Sequence, residues 1–218
     1  MHDQPWTAVP HLVAFDLEGT GGQDREREAV LEVAVVPLDG GCPDLLGAYH
    51  SVVNPGRYIP PHRWISPGLT NDLLGLAPPL EHIQPELVAR LSDAVVIGHN
   101  VRVDARLLGL CCPGIRLAGL IDTLKLARFV HPHNRRLGLT ALLDHYGLTE
   151  EVNELTGSVP HRALWDAVGA ALLLGCLLRD IPGGADYTFA QLNTAAGLPD
   201  AVGAEEVRSH EDDRSQMF

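Results

Sequence analysis

The hydrophobic positions of this chain follow two different patterns. Up to residue 53, apolar residues form three runs separated by short polar turns, which predicts three strands in an antiparallel meander. Beyond residue 68, short apolar runs alternate with segments of helical spacing. Together they predict an α/β fold, with a mixed five-stranded sheet flanked by helices. The predicted strands are 11–17, 28–38, 45–53, 94–98 and 118–122.

The longest segment of helical spacing, 161–179, is apolar on nearly all sides. A helix of this kind is buried on several sides, so we expect it at the centre of the fold. Pro182-Gly183-Gly184 is predicted to end it. The full set of predicted helices is 68–76, 80–92, 102–111, 123–130, 138–146, 161–179 and 187–196.

The composition changes close to residue 198. From residue 199 onward the chain has six acidic residues and two arginines. Such a stretch is typical of a solvated terminus. We therefore predict one folded domain, 8–197, followed by an acidic and flexible tail, 198–218.

The charge balance restricts the classes of function. The chain of 218 residues has 16 Lys and Arg against 28 Asp and Glu, a net charge of −12. Proteins that coat duplex nucleic acid use clustered basic residues, so this class is disfavoured, whereas an enzyme acting on one strand end is not. No apolar run approaches the roughly 18 residues of a membrane span, and the N-terminus lacks a secretory pattern. A cytoplasmic location is the prediction.

Two carboxylates lie at the end of the first predicted strand. Asp16 and Glu18 are two positions apart, so their side chains are expected on one face of the strand. Oxygen ligands held together in this way suit Mg²⁺ or Mn²⁺. The Gly19-Thr20-Gly21 turn that follows would let main chain approach a ligand and leave N–H groups free to bond it. Taken alone, the pattern is also typical of a solvated strand end.

Two further aspartates lie among apolar neighbours near predicted helix starts. Asp104 follows the polar pair His99-Asn100 by one helical turn, where an aspartate is ordinarily an electrostatic cap. Asp166 lies in an apolar run near the start of the longest helix, where an unpaired charge is costly. His161 precedes Asp166 by five residues, near enough to lie over a site that Asp166 helps to form.

These three motifs, D-x-E, H-N-x-x-x-D and H-x-x-x-x-D, closely resemble in order and spacing those of the DEDDh, or DnaQ-like, family of 3′–5′ exonucleases. The resemblance runs from about residue 11 to about residue 180. It includes Asn54-Pro55, Pro67-Gly68-Leu69-Thr70 and Ile121-Asp122-Thr123. It implies an RNase H-like fold and stepwise removal of nucleotides from a 3′ end.

The resemblance also implies roles for individual residues. His161 would be the general base, and two divalent cations, Mg²⁺ or Mn²⁺, would be held by four carboxylates: Asp16, Glu18, Asp104 and Asp166. Two positions depart from the family pattern. Val103 stands where the family usually has phenylalanine, and Gly19 stands in a motif that commonly reads E-T-T-G.

Other candidate residues would bind the substrate strand. The glycine turn would contact it through main chain, and the arginines are candidate phosphate contacts, although each is equally typical of a solvated surface. Trp64 and Tyr58 are candidates for base stacking, whereas Trp165 is predicted in the core. The predicted substrate-binding residues are Gly19, Thr20, Gly21, His99, Asn100, Arg102, Arg135 and Arg136, with Arg106 a further phosphate candidate.

Three functions stay open on the sequence. The first is a 3′–5′ exonuclease that prefers single-stranded DNA, releases nucleoside monophosphates and serves proofreading or repair. The second is the same catalyst acting on RNA or short oligoribonucleotides. The third is a catalytically silent module that binds strand ends or a polymerase. Arg214-Ser215-Gln216-Met217-Phe218 resembles short clamp-binding peptides, but so short a pattern is common by chance.

Overall fold

A computed structural model of the chain describes residues 3–21, 28–62 and 65–199. Four strands come first, and the α-helices that follow them are interrupted by two further strands and followed by a third. In chain order they are β1 (Leu12–Gly19), β2 (Val30–Asp39), β3 (Cys42–Pro43), β4 (Tyr49–Val52), α1 (Asn71–Leu76), α2 (Leu80–Leu91), β5 (Val95–Gly98), α3 (Arg102–Cys111), β6 (Gly119–Asp122), α4 (Thr123–Val130), α5 (Leu139–Tyr146), α6 (Thr149–Thr156), α7 (Ala163–Arg179), α8 (Phe189–Ala196) and β7 (Gly197–Leu198).

The strands of the described region form one mixed sheet in the order β3-β2-β1-β5-β6-β7, with β4 also paired to β2. β1 pairs antiparallel with β2 and parallel with β5, and β5 pairs parallel with β6. The carboxyl ends of β1, β5 and β6 therefore lie at the same edge of the sheet. Asp16 and Glu18 at the end of β1, and His99 and Asn100 directly after β5, lie at this edge.

Side chains of β1 alternate between two hydrophobic cores on the two faces of the sheet. Leu12 and Ala14 belong to the core that contains α7, whereas Val13, Phe15 and Leu17 belong to the core that contains α2 and α3. Since strand side chains alternate with period two, Asp16 shares the α7 face of β1.

The central position predicted for 161–179 is confirmed. Twelve residues of α7 are buried, and the helix packs on β1 and β2 and against α4, α5 and α6. Gly169 permits close packing on α5, because a Cβ there would lie 2.8 Å from Leu143 Cδ1. The helix begins at Ala163 and not at residue 161, because His161 has a positive φ of 64° and Arg162 is extended.

The predicted fold class is confirmed, but the predicted number of strands is wrong. All five predicted strands form, and the described sheet contains two more, β3 and β7. Each of these has only two residues, too few to show an alternating pattern.

Helix α6 was also not predicted. Val152 is its one buried residue within the described structure, so it has no apolar stripe for the sequence to show. The predicted helix 68–76 begins later, at Asn71, because the Thr70 hydroxyl accepts a hydrogen bond from the Leu73 N–H and caps the helix there.

Residues beside the predicted domain limits also join the fold. Trp6 is buried in the α7 core, and Leu198 pairs with Leu120. The remainder of the predicted tail, 200–218, lies outside the described residues, as does Trp64. Among the described helices, none is long and apolar enough to cross a membrane.

Candidate active site

Three carboxylates converge where β1 meets the start of α7. Asp16, Glu18 and Asp166 each offer a ligand oxygen, and these oxygens all lie within 4.8 Å of one another. The two β1 residues share a face as their spacing predicted, and Asp166 approaches from the helix packed on that face. We call these three residues the acidic cluster.

Asp104 lies beside the acidic cluster but is not one of its three members. It is 6% exposed in the first turn of α3, and its ionised form raises the pKa of Asp16. Burial raises the pKa of Asp104 itself well above its usual value, and a hydrogen bond from the main chain of Leu17 lowers it. Asp104 therefore faces the end of β1, whereas the preceding Val103 is 49% exposed.

The electrostatics of the acidic cluster favour a cation. Burial, reinforced by the charges of Asp104, Asp166 and Glu18, raises the pKa of Asp16 well above its usual value. Burial also raises the pKa of Glu18 to about 7 and that of Asp166 to about 6. Asp16 Oδ2 is buried and has no hydrogen-bond partner among the described residues. A buried oxygen of this kind is costly without a partner, and a divalent cation would supply one.

His161 lies at the entrance to the acidic cluster. Its side chain is exposed, and its main-chain N–H donates to Asp166 Oδ1 at 3.2 Å. Its φ of 64° is in the left-handed region, which costs a residue with a Cβ some energy and is held only by its surroundings. The turn thus links the predicted base directly to one carboxylate of the cluster.

The glycine turn after Glu18 differs in part from expectation. The pairing of β1 with β2 is irregular between Glu18 and Gly19, and a Cβ on Gly19 would lie 2.8 Å from Leu107 Cδ2. Glycine therefore lets β1 pack closely against Leu107 of α3, whereas a larger residue would require that side chain to move. The Thr20 N–H, predicted to be free for a ligand, instead donates to Ala29 O, while Gly21 follows with a φ of 87°.

His99 is held by the protein on both ring nitrogens. Nδ1 hydrogen-bonds with Thr123 Oγ1 and Nε2 with Leu137 O, both at 2.9 Å, and burial lowers the pKa of the ring. It therefore ties β5 to α4 and to the loop before α5. Asn100, the other polar residue after β5, has an exposed side chain and a φ of 62°.

The predicted phosphate-contacting arginines differ in their surroundings. Arg102, Arg135 and Arg136 are exposed, the first at the start of α3 and the others in the loop before α5. Arg106 instead donates to Glu28 Oε2 at 2.6 Å.

Tyr58, a candidate for base stacking, and Trp165, predicted in the core, differ in exposure. Tyr58 is 69% exposed. Trp165 is fully buried and donates from Nε1 to Asn153 Oδ1, so its predicted core position is confirmed.

Comparison with known proteins decides the family. A family model described as Exonuclease (RNase_T) matches residues 13–174. The DNA polymerase III subunit epsilon of Aquifex aeolicus is 31% identical over 174 residues, covering 78% of this chain and 81% of that protein. The chain belongs to the DnaQ-like, DEDDh exonuclease family. It is therefore a 3′–5′ exonuclease, a hydrolase of phosphodiester bonds.

Other relatives of the exonuclease are larger or more distant. The PolC-type DNA polymerase III of Bacillus cereus is 30% identical over 197 residues, which cover 87% of this chain but 13% of that protein. The structure of exonuclease X in complex with 5′ overhanging duplex DNA superposes with a TM-score of 0.63 at 24% identity, covering 84% of this chain and 98% of that one. The nuclease domain of 3′hExo bound to rAMP gives a TM-score of 0.53 at 16% identity, covering 81% and 94%. Both structures share the fold.

One feature beside the acidic cluster was not predicted from the sequence. Glu32 on β2 is 3% exposed and forms an ion pair with Arg162, which directly follows His161. The signal was present, since Glu32 is the single charge between Val30 and Leu38, in an otherwise apolar strand, and a buried charge needs a partner. What the sequence does not show is that this partner lies 130 residues away.

Proposed function

We propose that this exonuclease removes nucleoside monophosphates from the 3′ ends of DNA with two divalent cations, Mg²⁺ or Mn²⁺, and prefers single strands. The observation that carries the proposal is the acidic cluster with its unpartnered Asp16 Oδ2. In a member of this family, a half-buried set of carboxylate oxygens at the end of β1 is best explained as the place where the cations bind.

The proposed ligands are Asp16, Glu18 and Asp166, with Asp104 completing the set from α3. Divalent cations bound there would lower the pKa of an attacking water and offset the charge that develops on the phosphate. The protein's part is to hold these oxygens in place before any cation arrives. β1 and α7 do so, because both are buried on the face that carries the cluster.

His161 is the proposed general base. A neutral imidazole nitrogen within hydrogen-bond reach of a water can take its proton at the moment of attack. Its exposed side chain can reach a substrate end, whereas its main-chain N–H remains bonded to Asp166. The remaining proposed contacts to the strand are Gly19, Gly21, Asn100, Arg102, Arg135 and Arg136. Two residues predicted from the sequence are not proposed, because the Thr20 N–H and both ring nitrogens of His99 already bond within the protein.

Similarity to a polymerase subunit favours DNA over RNA and a role in proofreading or repair. The epsilon relative is matched over most of both chains, which supports the same substrate class here. A polymerase or sliding-clamp partner and a cytoplasmic location belong to the same proposal. The PolC-type relatives add no further support to this proposal, because the chain spans about an eighth of their length.

A digestion assay tests the proposed function. Wild-type protein with Mn²⁺ is expected to shorten a 5′-labelled single-stranded DNA from its 3′ end, faster than the same sequence as duplex DNA or as RNA. Asp166→Ala should be inactive, whereas Asp186→Ala, which removes an exposed carboxylate, should match wild type. Equal rates for Asp166→Ala and wild type would reject the catalytic assignment. Faster cleavage of RNA would reject the DNA preference alone.

A further inference from the structure

A buried ion pair fastens the turn containing His161 to the sheet. Arg162 donates from Nε to Glu32 Oε2 at 2.8 Å and from Nη2 to Glu32 Oε1 at 2.6 Å. This two-point contact fixes the orientation of the guanidinium as well as its distance. The main-chain N–H of Ala163 donates to the same Oε2 at 3.1 Å. One carboxylate on β2 therefore holds both Arg162 and the first residue of α7.

The pair lies immediately beside the acidic cluster. Glu32 is the direct cross-strand partner of Glu18 in the β1–β2 pairing. Arg162 directly follows His161, and Asp166 lies one helical turn after it. Any movement of Arg162 away from Glu32 would therefore displace the proposed base and one proposed ligand relative to β1.

A role in stability alone accounts poorly for these contacts. Burying a charged pair costs desolvation energy that the attraction between the charges often fails to offset, so apolar residues stabilise such a position at least as well. What this pair provides is a fixed geometry. His161 keeps a left-handed conformation that requires neighbours to hold it, and the adjacent Arg162 is anchored to β2 by two hydrogen bonds.

We propose that Glu32 and Arg162 are positioning residues of the exonuclease, which set His161 and Asp166 against the β1 carboxylates. Neither is proposed to touch the substrate. The proposal rests on the proposed function, since it assumes that the acidic cluster binds cations and that His161 acts as base. It adds that correct placement of these groups depends on an ion pair between β2 and the start of α7.

The test compares Glu32→Gln, Arg162→Lys and the double variant with wild type. Glutamine keeps the shape of Glu32 without its charge, and lysine keeps the charge of Arg162 without the two-point contact. The matched controls are Glu86→Gln and Arg90→Lys, which alter the Arg90–Glu86 pair on α2, an ion pair more exposed than Arg162–Glu32. All assays are run at a temperature where thermal melting shows every variant to be folded.

Each single variant is expected to lower kcat by about 10- to 100-fold, the usual effect of removing a group that orients metal ligands. KM for the labelled DNA should stay within about twofold, because no substrate contact is removed. The double variant should be no slower than the slower single variant, since either change already breaks the pair. Mn²⁺ titrated by calorimetry should bind more weakly to all three, and the amide of Ala163 should exchange its hydrogen faster in Glu32→Gln.

Three results would overturn the positioning role. They are a kcat equal to that of the α2 controls, a loss that appears only as a higher KM, and single effects that multiply in the double variant. Failure of the proposed function would look different, because wild type and both controls would then lack Mn²⁺-dependent trimming of the 3′ end.

Discussion

Asp16 and Asp122 occupy matching places in the fold but have opposite surroundings. Both lie near the carboxyl ends of strands, β1 and β6, that flank β5. Asp122 is 4% exposed, and its Oδ1 accepts hydrogen bonds from the N–H groups of Asn100 at 2.7 Å and Leu124 at 3.0 Å. Asp16 Oδ2 is equally inaccessible and has no such partner among the described residues.

This difference separates a structural aspartate, Asp122, from the proposed metal ligand, Asp16. The protein supplies its own donors to Asp122, which caps α4 and fixes the turn after β5. Around Asp16 it supplies further carboxylates instead, an arrangement that is unfavourable until a cation enters. Burial alone therefore does not identify a functional carboxylate, whereas the identity of its neighbours does.

Removing the carboxylate of each aspartate should have opposite effects on activity and on stability. Asp16→Asn is expected to lower kcat/KM by about a thousandfold, which corresponds to losing several kcal/mol of transition-state stabilisation. The same change should raise the melting temperature of the metal-free protein, because it removes one of several clustered negative charges. Asp122→Ala should retain activity within a few-fold but lose about 1 kcal/mol of unfolding free energy with its cap. Kinetics and thermal melting of both variants check this comparison, and loss of activity on changing Asp122 alone would contradict it.

The response to pH sharpens the comparison. In the metal-free protein the pKa values of Glu18 and Asp166, about 7 and about 6, exceed those of the unfolded chain, near 4. Between pH 4 and pH 7 the unfolded state therefore loses protons that the folded state keeps, so the free energy of unfolding falls as pH rises.

We accordingly expect the melting temperature of the metal-free protein to fall by about 5 °C between pH 5 and pH 8. Mn²⁺ should restore it at pH 8 and have little effect at pH 5, where protons compete for the same oxygens. Asp16→Asn should reduce both effects, whereas Asp122→Ala should leave both as in wild type. A Mn²⁺ effect of equal size at both pH values would contradict the account.

Charges outside the acidic cluster should have smaller effects. Replacing Arg135 and Arg136 together with alanine is expected to raise KM for single-stranded DNA by a few-fold and to weaken its dependence on salt, since two phosphate contacts are lost. The value of kcat should not change. An unchanged KM, measured from 50 to 200 mM salt, would remove these arginines from the proposed binding surface.

The sequence predicted those features that depend on the pattern of neighbouring residues. Alternation along β1 placed Asp16 and Glu18 on one face, and the apolar run 161–179 predicted a central helix. Short elements were not predicted, because a two-residue strand such as β3 is too short to show alternation of apolar and polar residues. Pairings between distant residues, such as Glu32 with Arg162, depend on the folded sheet and have no signature in either segment alone.

The sequence also could not show which polar groups are already satisfied. His99 and Asp122 are as noticeable as Asp16 in the sequence, yet the structure gives both of them protein partners. Such assignments depend on atoms contributed by other elements, including the carbonyl of Leu137 and the amide of Asn100. Only the folded structure can therefore show that Asp16 Oδ2 has no hydrogen-bond partner among the described residues.

A crystal structure of the protein soaked in Mn²⁺, with anomalous data collected above the manganese edge, tests the central claim most directly. The account predicts anomalous density between the carboxylates of Asp16, Glu18 and Asp166, with Asp16 Oδ2 among the ligands, and none beside Asp122. Absence of density at the acidic cluster, together with a protein hydrogen bond to Asp16 Oδ2, would contradict it.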